Sequence, residues 1–198
     1  MLSSITPFGE RGRNNRFAVT ATFFIAGAVV SGTVCGALAG AIGHVVVPAR
    51  PAVILTVLAL IALAGALLDA RAFGWRLPTI KRQVDDQWLG RYRGWVYGVG
   101  FGAQLGAALT TVVSSAAVYL MVVAAIGTRS LAAGALIGGV FGAIRGASLL
   151  ATQHVHSVDE LRSFHRRLAA RGTTSERVAV LTQAGVSAVA VITVVGLR

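Results

Sequence analysis

Charged residues are scarce in this chain of 198 residues. They make up 13% of it, about half of the quarter expected of a soluble domain. That deficit argues against a water-soluble globular enzyme. Acidic residues are the scarcer sign, 7 against 18 basic ones, for a formal net charge of +11. Cysteine occurs once, at Cys35, which excludes an intrachain disulfide, a CxxC redox motif and a cysteine-built zinc site. Catalytic signatures are missing as well. There is no GxSxG, no HExxH and no pair of carboxylates within an apolar run. The chain reads as a protein that is not an enzyme and holds no cofactor.

What is present is apolar. Hydrophobic residues make up 55% of the chain, and mean hydropathy is +0.73. These residues fall in long uncharged runs, as in an all-α, polytopic helical membrane protein. Five runs can be read: Phe17 to about Val47, Val53–Leu68, Gly94–Gly127, Leu131 to about Leu150, and Val178–Leu197. They set spans at 17–47, 52–70, 94–127, 130–151 and 177–197 within one transmembrane domain covering 1–198. The first run is too long for a cleavable signal peptide and is expected to stay as a span. The third has 34 residues, about 50 Å as a straight helix against a hydrocarbon core of about 30 Å. It must project, tilt or break.

A net charge of +11 in a soluble protein would suggest nucleic acid. Here the basic residues lie between the apolar runs, so membrane topology accounts for them and no nucleic-acid partner is expected. Fourteen of the 18 lie in the N-terminal tail and in the second and fourth loops, against Arg50, Arg129 and Arg198 on the other side. The expected topology has a cytoplasmic N-terminus, an outer C-terminus and short outer connections at His44–Ala52 and Thr128–Ser130. Seventeen of the basic residues are Arg, a bias of GC-rich bacterial genomes. The expected location is therefore the bacterial cytoplasmic (inner) membrane.

Both cytoplasmic loops carry amphipathic segments, at 77–92 and 157–171. In the first, Ile80, Val84, Trp88, Leu89 and Tyr92 recur at helical spacing. The second opens with Ser157-Val-Asp-Glu160, a capping box. Val158, Leu161, Phe164 and Leu168 follow as one stripe, and Gly172 is the expected stop. A second box, Thr173-Thr-Ser-Glu176, is expected to open the fifth span. Each segment reads as an interfacial anchor or as a docking surface for a partner. His154, His156 and His165 near Asp159 and Glu160 lack metal-site spacing, so no metal is expected.

Glycines recur every fourth residue at Gly32, Gly36 and Gly40, and again at Gly134, Gly138, Gly142 and Gly146. Such ladders clear one helix face for close packing, within the bundle or against another subunit or membrane-complex partner. The segments Gly32–Ile42 and Gly134–Ile144 are similar and, by the charge argument, run in opposite directions. That is the pattern of an inverted three-helix repeat lacking its sixth helix. The third run is the most polar: Gln104, Thr111 and Ser115 share a face. That face could line a solute path or bond to neighbouring helices. Arg145 is the one strong charge within a run. It could snorkel, pair with Asp69 or face a ligand.

The Gly-rich runs Gly27–Gly43 and Gly98–Gly106, with the inverted-repeat pattern, resemble in architecture the transmembrane domain of the cytochrome c biogenesis (CcdA/DsbD) family and its LysE-type small exporter relatives. The resemblance implies a small bundle of inverted three-helix repeats with locally broken helices. Redox members use a pair of intramembrane cysteines. This chain has Cys35 alone, with Ile137 aligned opposite it, so a dithiol relay within the chain is excluded. Two functions stand open. One is a small-solute or ion transporter with Gln104, Thr111, Ser115 and Arg145 along its path. The other is a non-catalytic membrane subunit or assembly factor that uses glycine faces and basic cytoplasmic helices.

Overall fold

The computed structural model describes residues 5–70, 88–107 and 115–197. All regular structure among them is helical. In chain order it comprises α1 (Pro7–Gly12), α2 (Phe17–Val46), α3 (Pro51–Asp69), α4 (Trp88–Arg91), α5 (Gly94–Gly106), α6 (Ala117–Gly127), α7 (Leu131–Ala147), a 3-10 turn (Ser148–Thr152), α8 (Val158–Ala170) and α9 (Gly172–Gly196). Four of these are long and apolar enough to cross a membrane: α2 (30 residues), α3 (19), α7 with its 3-10 turn (22) and α9 (25). This fits a helical membrane protein.

Within the third apolar run, 94–127, the described residues form α5 of 13 residues and α6 of 11. Neither reaches the roughly 20 residues a crossing helix needs. By contrast, the first run is one unbroken helix of 30 residues, about 45 Å long. Much of the amphipathic segment 77–92 lies outside the described residues. Its end forms the single-turn α4.

The chain divides into two compact units. Unit 1 comprises 1–34, 81–111 and 139–171; unit 2 comprises 35–80, 112–138 and 172–198. On α2 and α7, small residues face inward and large aliphatics outward. On α2, Gly32, Gly36 and Gly40 are buried, while Val30, Val34, Leu38 and Ile42 are exposed. The two series are offset by two residues, about 200° around the helix, so they occupy opposite faces. On α7, Gly134, Gly138, Gly142 and Gly146 are buried and Leu136, Val140 and Ile144 exposed. In water this arrangement would be inverted. In lipid it is favourable, because association there depends on close packing and not on hiding apolar surface.

The packing shows why the inner face must be small. In unit 2, a Cβ on Gly36 would overlap the carbonyl oxygen of Gly134 and lie 2.9 Å from Gly138 Cα. Gly134 meets the Gly36 carbonyl in return, and Gly40 meets Ser130. In unit 1, Gly142 lies on the Ala28 carbonyl, and Gly102 of α5 on that of Phe24. The unit 1 core is Ile5, Ala21, Phe24, Tyr97, Phe101 and Leu149. Unit 2 buries Ala59, Ala62 and Ala66 of α3 and Gln183, Ser187 and Ala190 of α9.

Helix ends follow local chemistry. Pro51 occupies the first turn of α3, where its missing N–H has no partner to lose. The α6–α7 turn places Arg129 at φ 52°. Its guanidinium donates to the His44 carbonyl oxygen at 3.3 Å. Gly172 is not the stop of α8 but the first residue of α9. Arg171 alone separates the two helices; it is right-handed (φ −92°) and its N–H reaches the carbonyls of Arg167 and Leu168, so no left-handed glycine is required.

The capping box of α8 forms as expected. Glu160 N–H donates to Ser157 Oγ at 3.3 Å, and Glu160 Oε2 accepts from the N–H groups of His156 (2.6 Å) and Ser157 (3.1 Å). The backbone N–H of His156, more than any other contact, holds the Glu160 carboxyl below its ordinary range. A carboxyl whose pKa is lowered by folding adds stability above its unfolded value and loses it as pH falls through the folded value. The first turn of α8 should therefore fray as pH drops below about 4, the ordinary glutamate range. Cα chemical shifts of Val158–Leu161 moving toward coil values on acidification would register it.

Candidate functional site

Two buried polar clusters stand out, one in each unit. In unit 2, Asp69 is the last residue of α3. Its carboxylate accepts Ser115 Oγ–H at 2.6 Å, Ala116 N–H at 2.9 Å and Gln183 Nε2–H at 2.7 Å. Ser115 Oγ in turn accepts the N–H of Ala117 at 3.1 Å. The orphan N–H groups that open α6 are thus met by side chains, as at a true helix start. The carboxylate also sits at the positive end of the α6 dipole.

Gln183 comes from α9 and is fully buried. Its Nε2 is shared between Asp69 and the Ala179 carbonyl at 3.2 Å. Its Oε1 is buried with no hydrogen-bond partner. Gly65 makes room for that amide, since a Cβ there would overlap Gln183 Oε1. One turn further on, Ser187 Oγ–H donates to the Ala59 carbonyl at 2.9 Å. Chemically this is a carboxylate, a hydroxyl and an amide oxygen converging among apolar helices, a set suited to a proton or a small cation.

In unit 1, α1 carries Glu10 into a fully buried position. Thr6 caps α1, accepting the Gly9 N–H at 3.0 Å, and Pro7 fills its first turn. The Glu10 carboxylate accepts Tyr97 O–H at 2.6 Å and Thr20 Oγ–H at 2.7 Å, and it pairs with Arg13 at 2.7 Å. Asn15 Nδ2–H donates to the Tyr97 oxygen at 3.2 Å. Burial works to lower the pKa of Arg13, but its interactions with Glu10 and Tyr97 outweigh that and the net shift is upward. The guanidinium therefore stays charged and the carboxylate keeps its partner.

Of the residues singled out from sequence, Ser115 and Asp69 are brought together in unit 2. Asp69 takes its hydrogen bonds from Ser115, the N–H of Ala116 and Gln183. Arg145 is half-buried on α7. Its guanidinium lies over the Phe141 ring, 5.3 Å from the centroid, and its Nη1 is buried with no hydrogen-bond partner. One helical turn separates the two residues, a local cation–π contact. Gln104 is half-buried on α5, and Thr111 lies outside the described residues.

Sequence reasoning missed Gln183 and Glu10. The signal for Gln183 is a lone amide side chain inside the apolar run Val178–Leu197. For Glu10 it is Thr6-Pro7 three residues upstream, a cap followed by proline at the first helical position. Among the described residues, no three His, Cys, Asp or Glu side chains gather to hold a metal ion. Comparison with protein-family models, with curated proteins and with solved structures found no match.

Proposed function

We propose that this chain is a multi-pass protein of a bacterial cytoplasmic membrane that moves a small solute or ion, with Asp69, Ser115 and Gln183 as its polar centre. One observation carries the reading: a half-length helix, α6, starts at a carboxylate beside a buried amide oxygen that has no partner. Interrupted helices whose ends meet polar groups inside a bundle are the usual construction of a transporter's binding site. The packing of α2 on α7 adds support. The two similar glycine segments lie antiparallel, and Gly36 meets Gly138, the residue aligned with it. That is the relation expected between the first helices of an inverted repeat. The 14-to-3 distribution of basic residues supports a cytoplasmic N-terminus.

The alternative, a non-catalytic membrane subunit, would have to bind through surfaces other than the glycine faces. Those glycines are buried against neighbouring helices.

The test is aqueous access and flux in reconstituted vesicles. Ser115→Cys, in a Cys35→Ala background, should react with a membrane-impermeant maleimide. Proteoliposomes should conduct at least one of H+, Na+, K+ or Cl− above empty vesicles, and Asp69→Asn should return that flux to the empty-vesicle level. A cysteine at 115 that stays unreactive from both faces would overturn the proposal.

A further inference from the structure

Helix α8 has a surface that the transport reading does not use. None of its residues is buried. Val158 and Leu168 are each 47% exposed, and Leu161 and Phe164 are half-exposed. At about 100° per residue, these four form one stripe. Arg162 flanks one edge of it, and Arg167 and Arg171 the other, while Arg166 falls further round, beside Asp159. Asp159 falls opposite the stripe, where it pairs with Arg162 at 3.5 Å. The other acid, Glu160, is used in the capping box of its own helix.

The base of α8 is held at the end of α7. Leu149, Thr152 and Val155 are buried there. Thr152 Oγ–H donates to the Ile5 carbonyl at 3.1 Å, and Phe8 N–H donates to the Val155 carbonyl at 3.0 Å. Only His156 and Ser157 separate that anchor from α8, and Arg171 alone separates α8 from α9 in the chain. The helix is therefore joined at both ends to helices of membrane-crossing length.

We infer that α8 is a binding surface for anionic phospholipid. The apolar stripe enters the boundary between headgroups and acyl chains. Arg162, Arg167 and Arg171 lay their stems along it and reach lipid phosphates from both edges. Arginine at the edges of the stripe suits phosphate better than the centre of the polar face would, because the planar guanidinium can take a phosphate with two hydrogen bonds. Asp159 points away from the anionic plane. This inference needs α7 and α9 to cross a membrane, and it does not depend on transport.

The test uses the full chain in nanodiscs of phosphatidylcholine, with and without phosphatidylglycerol, and follows amide hydrogen exchange. Exchange of 158–170 should slow by about tenfold or more when phosphatidylglycerol is present, and high salt should reverse it. The variant Arg162→Gln/Arg166→Gln/Arg167→Gln/Arg171→Gln should exchange at the same rate in both discs. Unchanged protection of α3 and α9 would show that this variant is folded. Phe164→Asp should lose the slowing even with all four arginines present. Equal exchange of the wild-type helix in both discs would overturn the inference. If α8 were open to water in both, the surface would be left to a protein partner.

Discussion

A single methyl group added at Gly36 should destabilise the protein by about 3 kcal/mol, the upper end of the usual range for overpacking. The new Cβ would overlap the Gly134 carbonyl oxygen and stand 2.9 Å from both N and Cα of Gly138. These are backbone atoms, so no side chain can rotate away, and α2 and α7 must separate along the contact. The close approach is reciprocal, since Gly134 meets the Gly36 carbonyl in the same way. Separating the helices weakens both halves of that contact together. Lipid supplies no hydrophobic drive to hold the helices once packing is lost. Gly36→Val should give no folded protein. Gly185 is the control, because a Cβ there meets nothing within 4 Å. Gly185→Ala should leave stability unchanged or raise it by up to about 1 kcal/mol through helix propensity. Denaturation by SDS in mixed micelles would compare the variants. Equal stability of Gly36→Ala and wild type would mean that the two backbones do not approach this closely.

Glu10→Ala should cost about 3 kcal/mol. Removing one member of a buried pair costs about 3–5 kcal/mol when the other charge is left uncompensated. The lower figure applies because the Arg13 side chain is 27% exposed and recovers part of its hydration. The substitution also strips the acceptor from Tyr97 O–H and Thr20 O–H, both buried. Tyr97→Phe keeps the ring against Phe101 and removes only the hydroxyl, at about 1.5 kcal/mol for a hydrogen bond to a charged group. The double variant should cost less than the sum, since the hydroxyl no longer matters once the carboxylate is gone. The visible consequence should be local. Protease access to residues 5–15 should rise in both single variants, because α1 is held to α2 and α5 through this cluster. Strictly additive losses would mean that Glu10 and Tyr97 do not act as one unit.

Much of the fold is legible in the sequence, and the reason is the solvent. Uncharged runs of about 20 residues have few options in lipid other than a helix, because every backbone polar group must be paired within the segment. Hence α2, α3 and α7 fall close to the runs that predict them. For α9 the helix begins at Gly172, five residues before the expected span, although Gly172, Thr173 and Thr174 are weak helix formers. The Ser157–Glu160 box is readable because capping is local, with donor and acceptor three residues apart. Gly172 shows the limit of the same reasoning: a glycine after a helix is a stop only where a left-handed residue is needed.

The candidate site is legible only in pieces. Asp69 and Ser115 stand out as polar residues near apolar runs, but their partners do not, since Ser115, the N–H of Ala116 and Gln183 lie 46, 47 and 114 residues from Asp69 along the chain. No periodicity reports such separations. Glu10 lies in a basic tail that reads as solvated, and only the placement of Tyr97 against α1 makes it a buried carboxylate.

The scarcity of charge, the uncharged runs and the glycine spacing belong to the sequence alone. They determine helices, their membrane-crossing length and the presence of faces with no side chain, because each depends on neighbours within a turn or two. Tertiary structure decided which backbones those faces meet, that Glu10 is buried against Tyr97, Thr20 and Arg13, and that Asp69 gathers Ser115, Ala116 and Gln183. Those outcomes depend on distances between residues far apart in the chain, which are set when the helices pack.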